Sequence, residues 1–411
     1  MGLEAAGFTP LVAVETNKAA VATIKANKPK LPIIDRSIRE VSTREILEKA
    51  KLSPREATLV SGGPCCQAFS TAGKRKSVCD PRGRLFEDFL RVVRETQPRF
   101  FVMENVKGLL SAAIKHRPLK ERGPGFPPLA PEEELGSAFR LILRELESLN
   151  YYVIYTLVNA ADYGSAQIRY RVIIIGSRDG ENISAPQKTH SEEGSKGTLK
   201  WVTLREALRG IKSKEWTDFS ESRMRYLRMI RPGENWSSLP KRLQRKAIGG
   251  AYDSWGGRKG FCRRLSLKEP SPSLTTAPDG RATTLCHPRK DRPLSVEEYR
   301  RIQDFPPDYV FEGSVKEKYK MIGNAVPLSI GKAVGDMLQS TMEITENEGL
   351  PEDATNRKGL VVCADPELEK RLKNRPRTQL PPLSHRENRD PVAAKEWVAQ
   401  IGSMSVSAEK T

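Results

Sequence analysis

The chain has 411 residues, 38% of them hydrophobic, enough for a large core and about two domains. It carries 69 Lys+Arg against 51 Asp+Glu, a net charge of +18, which favours a polyanionic partner, nucleic acid first. Six scattered cysteines with no C-x-x-C pair, and only four histidines, argue against a zinc site or a disulfide framework, and no apolar run approaches the ~20 residues of a membrane span.

Pro10 to Glu15 reads as a short buried strand and Asn17 to Lys25 as a helix. Ala57-Thr58-Leu59-Val60 reads as a strand that leads into Gly62-Gly63-Pro64-Cys65-Cys66-Gln67, a turn that presents a cysteine. Leu85, Phe89, Val92 and Val93 fall at i, i+4, i+7 and i+8, one face of a helix. Phe100 to Met103 is a second strand, ended by Glu104-Asn105-Val106. The Pro/Gly-rich stretch from Arg117 to Pro131 reads as a surface insertion. Phe139, Ile142, Leu143 and Leu146 form another helix face, and Tyr151 to Val158 and Val172 to Gly176 read as strands. Such alternation predicts a doubly wound α/β sheet. If the strands are parallel, the turn after Val60 and the acid after Met103 share the carboxyl edge, where ligands bind.

Residues 188–270 change character. They hold 20 Lys/Arg against 9 Asp/Glu, together with Trp201, Trp216, Trp236 and Trp255. Cations interleaved with aromatics suit phosphate contact and base stacking, although any single Trp is as readily the core of a small domain. From Leu294 the α/β style returns, with a helical run from Pro327 to Leu338. The predicted organisation is therefore 1–187, a second domain over 188–290, a return over 291–344, and a polar, Pro-rich tail over 345–411 expected to be disordered or loosely packed.

A thiolate in the Gly-Gly-Pro turn can attack an electrophilic carbon once its pKa is lowered. If the substrate is a pyrimidine, attack at C6 makes C5 nucleophilic towards a methyl donor. The ring anion then needs a proton or hydrogen bond at N3, which a glutamic acid of raised pKa supplies. Gln167-Ile168-Arg169-Tyr170-Arg171 offers two arginines at i and i+2, on one side of an extended segment, as donors for O2.

These segments resemble the cytosine-C5 DNA methyltransferase family over roughly residues 1–340. The family's Gly-Gly-Pro-Pro-Cys-Gln motif matches Gly62 to Gln67, its Glu-Asn-Val motif Glu104 to Val106, its Gln-x-Arg-x-Arg motif Gln167 to Arg171, and its Gly-Asn-Ala-Val-Pro motif Gly323 to Pro327, all in the family's order. The resemblance implies a Rossmann-like fold dependent on S-adenosylmethionine, with a smaller target-recognition domain between the last two motifs. It implies Cys66 as nucleophile, with Glu104, Arg169 and Arg171 as catalytic partners. For the cofactor it implies Glu15 on the ribose, Asp35 on the adenine amine, Leu85 against the adenine and Asn324 near the methionine end, with no metal. Double-stranded DNA is the expected substrate, with the cytosine flipped out of the stack, and Lys74-Arg75-Lys76 and Arg82-Gly83-Arg84 are expected to close over it. A monomer in the cytoplasm, at the nucleoid, working beside a restriction endonuclease, completes the expectation.

Two features depart from the family pattern. The chain opens at Met1-Gly2-Leu3-Glu4, which resembles the helix after the family's first strand and glycine-rich turn. The expectation is a downstream start or a gene fragment, tested by in-frame codons upstream. Cys65 stands where the family has proline, which would stiffen the turn. Cys66 remains the assigned nucleophile because it directly precedes Gln67. A related RNA methyltransferase and a non-catalytic DNA-binding remnant are the competing readings.

Overall fold

A computed structural model of the chain describes residues 1–64, 85–118, 121–122, 125–195, 197–253, 260–280 and 283–373. In chain order the elements are α1 (Gly2–Ala5), β1 (Ala13–Val14), α2 (Lys18–Asn27), β2 (Ile33–Ile34), α3 (Thr43–Ala50), β3 (Leu59–Gly62), α4 (Leu85–Thr96), β4 (Phe100–Val106), α5 (Ser137–Glu147), β5 (Tyr152–Asn159), β6 (Gln167–Ile168) and β7 (Tyr170–Ser177). Then come β8 (His190–Ser191), β9 (Leu199–Lys200), α6 (Leu204–Ala207), α7 (Glu221–Leu227), α8 (Lys241–Ile248), β10 (Ser271–Pro272), α9 (Val296–Ile302), α10 (Val315–Asn324), α11 (Leu328–Glu348), α12 (Ala354–Arg357), β11 (Val361–Cys363) and α13 (Pro366–Lys373). They divide into two compact units, one of residues 1–37, 158–170 and 186–340, the other of 38–157, 171–185 and 341–411.

The second unit holds a five-stranded sheet in the order β11-β5-β7-β4-β3. β3 runs parallel to β4, and β7 runs antiparallel to β4 with Glu104 opposite Ile173 and Val106 opposite Arg171. The apolar runs read from the sequence become these strands because both faces are buried: Phe100, Phe101, Met103, Val172 and Ile174 are fully enclosed. α4 lays Phe86, Phe89, Leu90 and Val93 on the sheet, and Phe89 meets Phe101 edge-on at 6.2 Å. α5 adds Phe139, Ile142 and Leu146 to the same core.

The expectation for the tail is corrected over 345–373. α11 continues to Glu348, and β11 adds to the sheet parallel to β5, with Val153 N–H donating to Leu360 O at 2.9 Å and Ala364 N–H to Tyr155 O at 2.9 Å. Leu368 of α13 is buried in the sheet's core. A three-residue strand and one anchoring leucine leave no periodicity to read, so polar composition dominated the sequence signal. Residues 374–411 lie outside the described residues.

The first unit contains β1 and β2, parallel and joined by α2, whose N-cap Asn17 accepts from Ala20 N–H at 3.0 Å. The strand expected over Pro10 to Glu15 is shorter than predicted, two residues and half-buried. Two further apolar cores lie here. One gathers Leu204, Leu274, Leu294, Tyr299 and Tyr319, and the other Phe219, Met224, Leu227, Leu239 and Ile248, with Trp236 packed against it. Trp216 is 40% exposed, and Trp255 lies outside the described residues.

Candidate active site

β3 delivers the chain into the Gly62-Gly63-Pro64 turn beside the carboxyl end of β4. At Gly63 a Cβ would stand 3.0 Å from Glu104 Oε2, so the backbone passes directly against that carboxylate and a side chain there would crowd it. Asn105 is buried; its Oδ1 accepts from Val106 N–H at 2.9 Å, and its Nδ2 reaches Pro64 O at 3.5 Å, a weak tie between strand and turn. Cys65, Cys66 and the following basic loop through Arg84 lie outside the described residues.

Glu104 lies within β4 rather than just past its end. Antiparallel pairing puts Ile173 opposite it, so Arg171 is its diagonal neighbour on the same face, within reach of a long side chain. Arg171 Nε stands 2.5 Å from Glu104 Oε1, with the two side chains 9% and 18% exposed. A largely desolvated acid and a fixed guanidinium thus share the end of one strand pair.

Arg169, the other arginine of the motif, is engaged by backbone oxygens. It is 2% exposed. Its Nη1 donates to Ser273 Oγ at 3.2 Å and Leu274 O at 2.8 Å, and its Nη2 to Gly323 O at 2.6 Å and Ala325 O at 3.1 Å. Gly323 closes α10, whose final carbonyls have no partner within the helix, so the guanidinium supplies one and a favourable charge at the helix's negative end.

Gln303, which sequence reasoning missed, does the same work. Its Nε2 donates to Ile322 O and to Ala325 O at 2.5 and 2.9 Å, while its Oε1 accepts from Gln167 Nε2 at 2.7 Å. Gln167 also accepts from Leu274 N–H at 2.9 Å. A Cβ at Gly323 would stand 2.4 Å from Thr275 O, so only glycine permits this approach. Gln167 and Arg169 therefore lock the Gly323-Asn324-Ala325 motif to the 273–275 segment.

Glu15 and Asp35 are brought together. Each directly follows its strand in the parallel pair, with Val14 opposite Ile34, so the two carboxylates stand on one edge of neighbouring strands. Such strands lie about 4.8 Å apart. Glu15 Oε1 accepts from Thr16 and Asn17 N–H at 2.8 and 2.7 Å, which orients the carboxylate at the start of α2. Asn324 is exposed at the end of α10, and Leu85 is half-buried at the start of α4.

Two buried titratable groups also carried no sequence signal. Asp304, with φ of 66°, is pushed up to about 6 by burial, against hydrogen bonds from Ser329 and Ser165. Burial pushes His287 down to about 4, and its Nδ1 accepts from Arg289 and Lys290 N–H, both at 3.0 Å. Among the described residues no group of three or more His, Cys, Asp or Glu is placed to hold a metal ion, and no helix is long and apolar enough to cross a membrane.

The chain is 32% identical over 340 residues to the Type II methyltransferase M.Sau96I of Staphylococcus aureus, covering 82% of this chain and 72% of that protein. It is 33% identical over 342 residues to the Type II methyltransferase M.Eco47II of Escherichia coli, covering 82% and 74%. A crystal structure described as a DNA modification methyltransferase encoded within an E. coli prophage shares the fold, with a TM-score of 0.54 at 22% identity over 83% of this chain and 95% of that one. The family profile described as C-5 cytosine-specific DNA methylase matches residues 1–340, and the chain belongs to that family.

Proposed function

We propose that the chain methylates C5 of a flipped cytosine in double-stranded DNA through a covalent adduct between Cys66 and ring carbon C6. The observation that carries this reading is the Glu104–Arg171 pair at the end of β4, against the turn that leads to Cys66. Cys66 follows Pro64 by two residues, a covalent reach of at most ~7 Å.

The Cys66 thiolate adds to C6, and the electron pair released moves to C5 and N3. Glu104 holds the hydrogen bond at N3 while that charge develops, and Arg171, fixed by Glu104, supplies the cationic donor at O2. The family implies S-adenosylmethionine as donor, which when bound supplies the electrophilic methyl group. After transfer, water takes the C5 proton, the C5–H pair re-forms the C5–C6 double bond, and the C6–S bond breaks with its pair on sulfur, freeing Cys66 as the thiolate.

The adjacent carboxylates suit the cofactor: Glu15 accepts from ribose hydroxyls and Asp35 from the adenine amine. Leu85 packs on the adenine, and Asn324 contacts the methionine end. Arg169 positions Asn324 through the backbone on either side of it.

The Type II methyltransferase names of the relatives support a DNA-modification role; a cognate restriction endonuclease as partner, and action as a monomer at the nucleoid, belong to the same proposal. The test is incubation with labelled S-adenosylmethionine and unmethylated DNA, followed by base analysis. Label in 5-methylcytosine, lost in Cys66→Ala and kept in Cys65→Ala, is expected. Label in RNA alone, or in neither polymer, would refute the assignment.

A further inference from the structure

Two clusters of cations within residues 188–270, at α7 and on α8, differ in the structure. Those of α7 are committed within the protein. Arg223 donates to Asp279 O, Arg225 donates to Tyr226 Oη at 2.7 Å and lies 4.7 Å over that ring, and Arg228 pairs with Glu221 and Asp291. On α8 the arrangement is different. Lys241, Arg242, Arg245 and Lys246 are all exposed, while Leu243, Ala247 and Ile248 face the neighbouring core. The side chains of Lys241, Arg242 and Lys246 make no hydrogen bond or ion pair with another described residue.

This placement works against the helix that carries it. α8 has no side-chain N-cap bond and no acid in its first turn, where Lys241 and Arg242 meet the positive end of the helix dipole. Lys241 with Arg245, and Arg242 with Lys246, are like-charged pairs at i, i+4, which weaken a helix. Local rules broken together, on a face where Lys241, Arg242 and Lys246 have no partner among the described residues, point to a charge retained for an outside partner. The strip from 241 to 246 rises ~7.5 Å, long enough to meet neighbouring phosphates of the duplex backbone, each of which advances ~3.4 Å along the axis per strand.

We propose that the exposed face of α8 grips the phosphate backbone of duplex DNA. The assignment rests on the reading of DNA as substrate and adds where the duplex is held. Contact with phosphates is independent of sequence, so α8 contributes affinity and register while base readout lies elsewhere.

The test uses the full chain with Lys241, Arg242 and Lys246 replaced by Gln, binding a labelled duplex of arbitrary sequence at several KCl concentrations, with an RNA hairpin in parallel. The slope of log affinity against log salt is expected to fall by ~0.9 per lost contact, up to ~2.7 in all. The unfolding midpoint should stay the same or rise, because the like-charge pairs are gone. Lys241→Arg with Lys246→Arg should keep the wild-type slope. An unchanged slope in the Gln variant, or a loss confined to RNA, overturns the proposal. Methyl transfer by the wild-type chain is scored separately: if it labels no DNA the substrate assignment falls, whereas an unchanged slope removes only α8.

Discussion

Replacing Arg169 separates a residue that touches substrate from one that holds the site together. In Arg169→Met the stem keeps its volume while Leu274 O and Gly323 O lose the guanidinium; Ala325 O retains Gln303. Each buried acceptor left unpaired costs ~1–3 kcal/mol, so two such groups set a destabilisation of about 2–6 kcal/mol. Lys cannot reproduce the planar fork that serves four oxygens, so Arg169→Lys should recover part of this loss and no more. Four of the five tryptophans lie in residues 188–270, within the unit that contains Arg169. Urea unfolding followed by tryptophan fluorescence therefore reports on the affected unit. Residual methyl transfer should fall with the folded fraction. An unchanged midpoint with methyl transfer abolished would refute the clamp and return Arg169 to the substrate face.

Three further outcomes are expected. Glu104→Gln should lower single-turnover methyl transfer by about 10²–10⁴-fold while DNA and cofactor binding persist; a change in binding alone would exclude its role at N3. Asp304 has a folded pKa of about 6 against 3.8 for the ordinary group, so its contribution to stability is fully present below pH 3.8 and lost as pH rises through about 6. Asp304→Asn, compatible with the left-handed backbone, should then gain ~1–3 kcal/mol over the wild type at pH 7.5 and nothing at pH 3.5; equal gains at both pH values would contradict this. Leu368→Ala should cost about 2–5 kcal/mol of stability, measured by chemical unfolding, and a negligible cost would mean that β11 and α13 do not support the sheet.

Much of this architecture was legible because the sheet is buried on both faces. Apolar runs such as Phe100 to Met103 and Val172 to Gly176 can then be read directly, and α4 and α5 carry clear helical periods. The pairing of Glu104 with Arg171 was not readable. It depends on β7 running antiparallel to β4, and strand direction leaves no trace in either segment. The same limit applies to Arg169, whose spacing from Arg171 is right for a shared face while its partners lie more than a hundred positions away at Leu274 and Gly323. Gln303 and Asp304 had no signal at all, since each acquires its role only through long-range burial. β1 and β11 are too short for a pattern to outweigh composition.

The close approach of α1 to α11, where a Cβ at Gly2 would stand 2.5 Å from Leu328 O, bears on how the molecule is made. α1 must wait for α11, more than three hundred residues further along the chain, before its packing partner exists, and β5 must wait for β11. Loop closure over such separations is slow, and synthesis at ~5–20 residues per second spreads it over tens of seconds. Throughout that interval β5 is made but lacks β11 along one edge, so the yield of active protein should depend on temperature and on chaperone supply during synthesis more than on the stability of the finished fold.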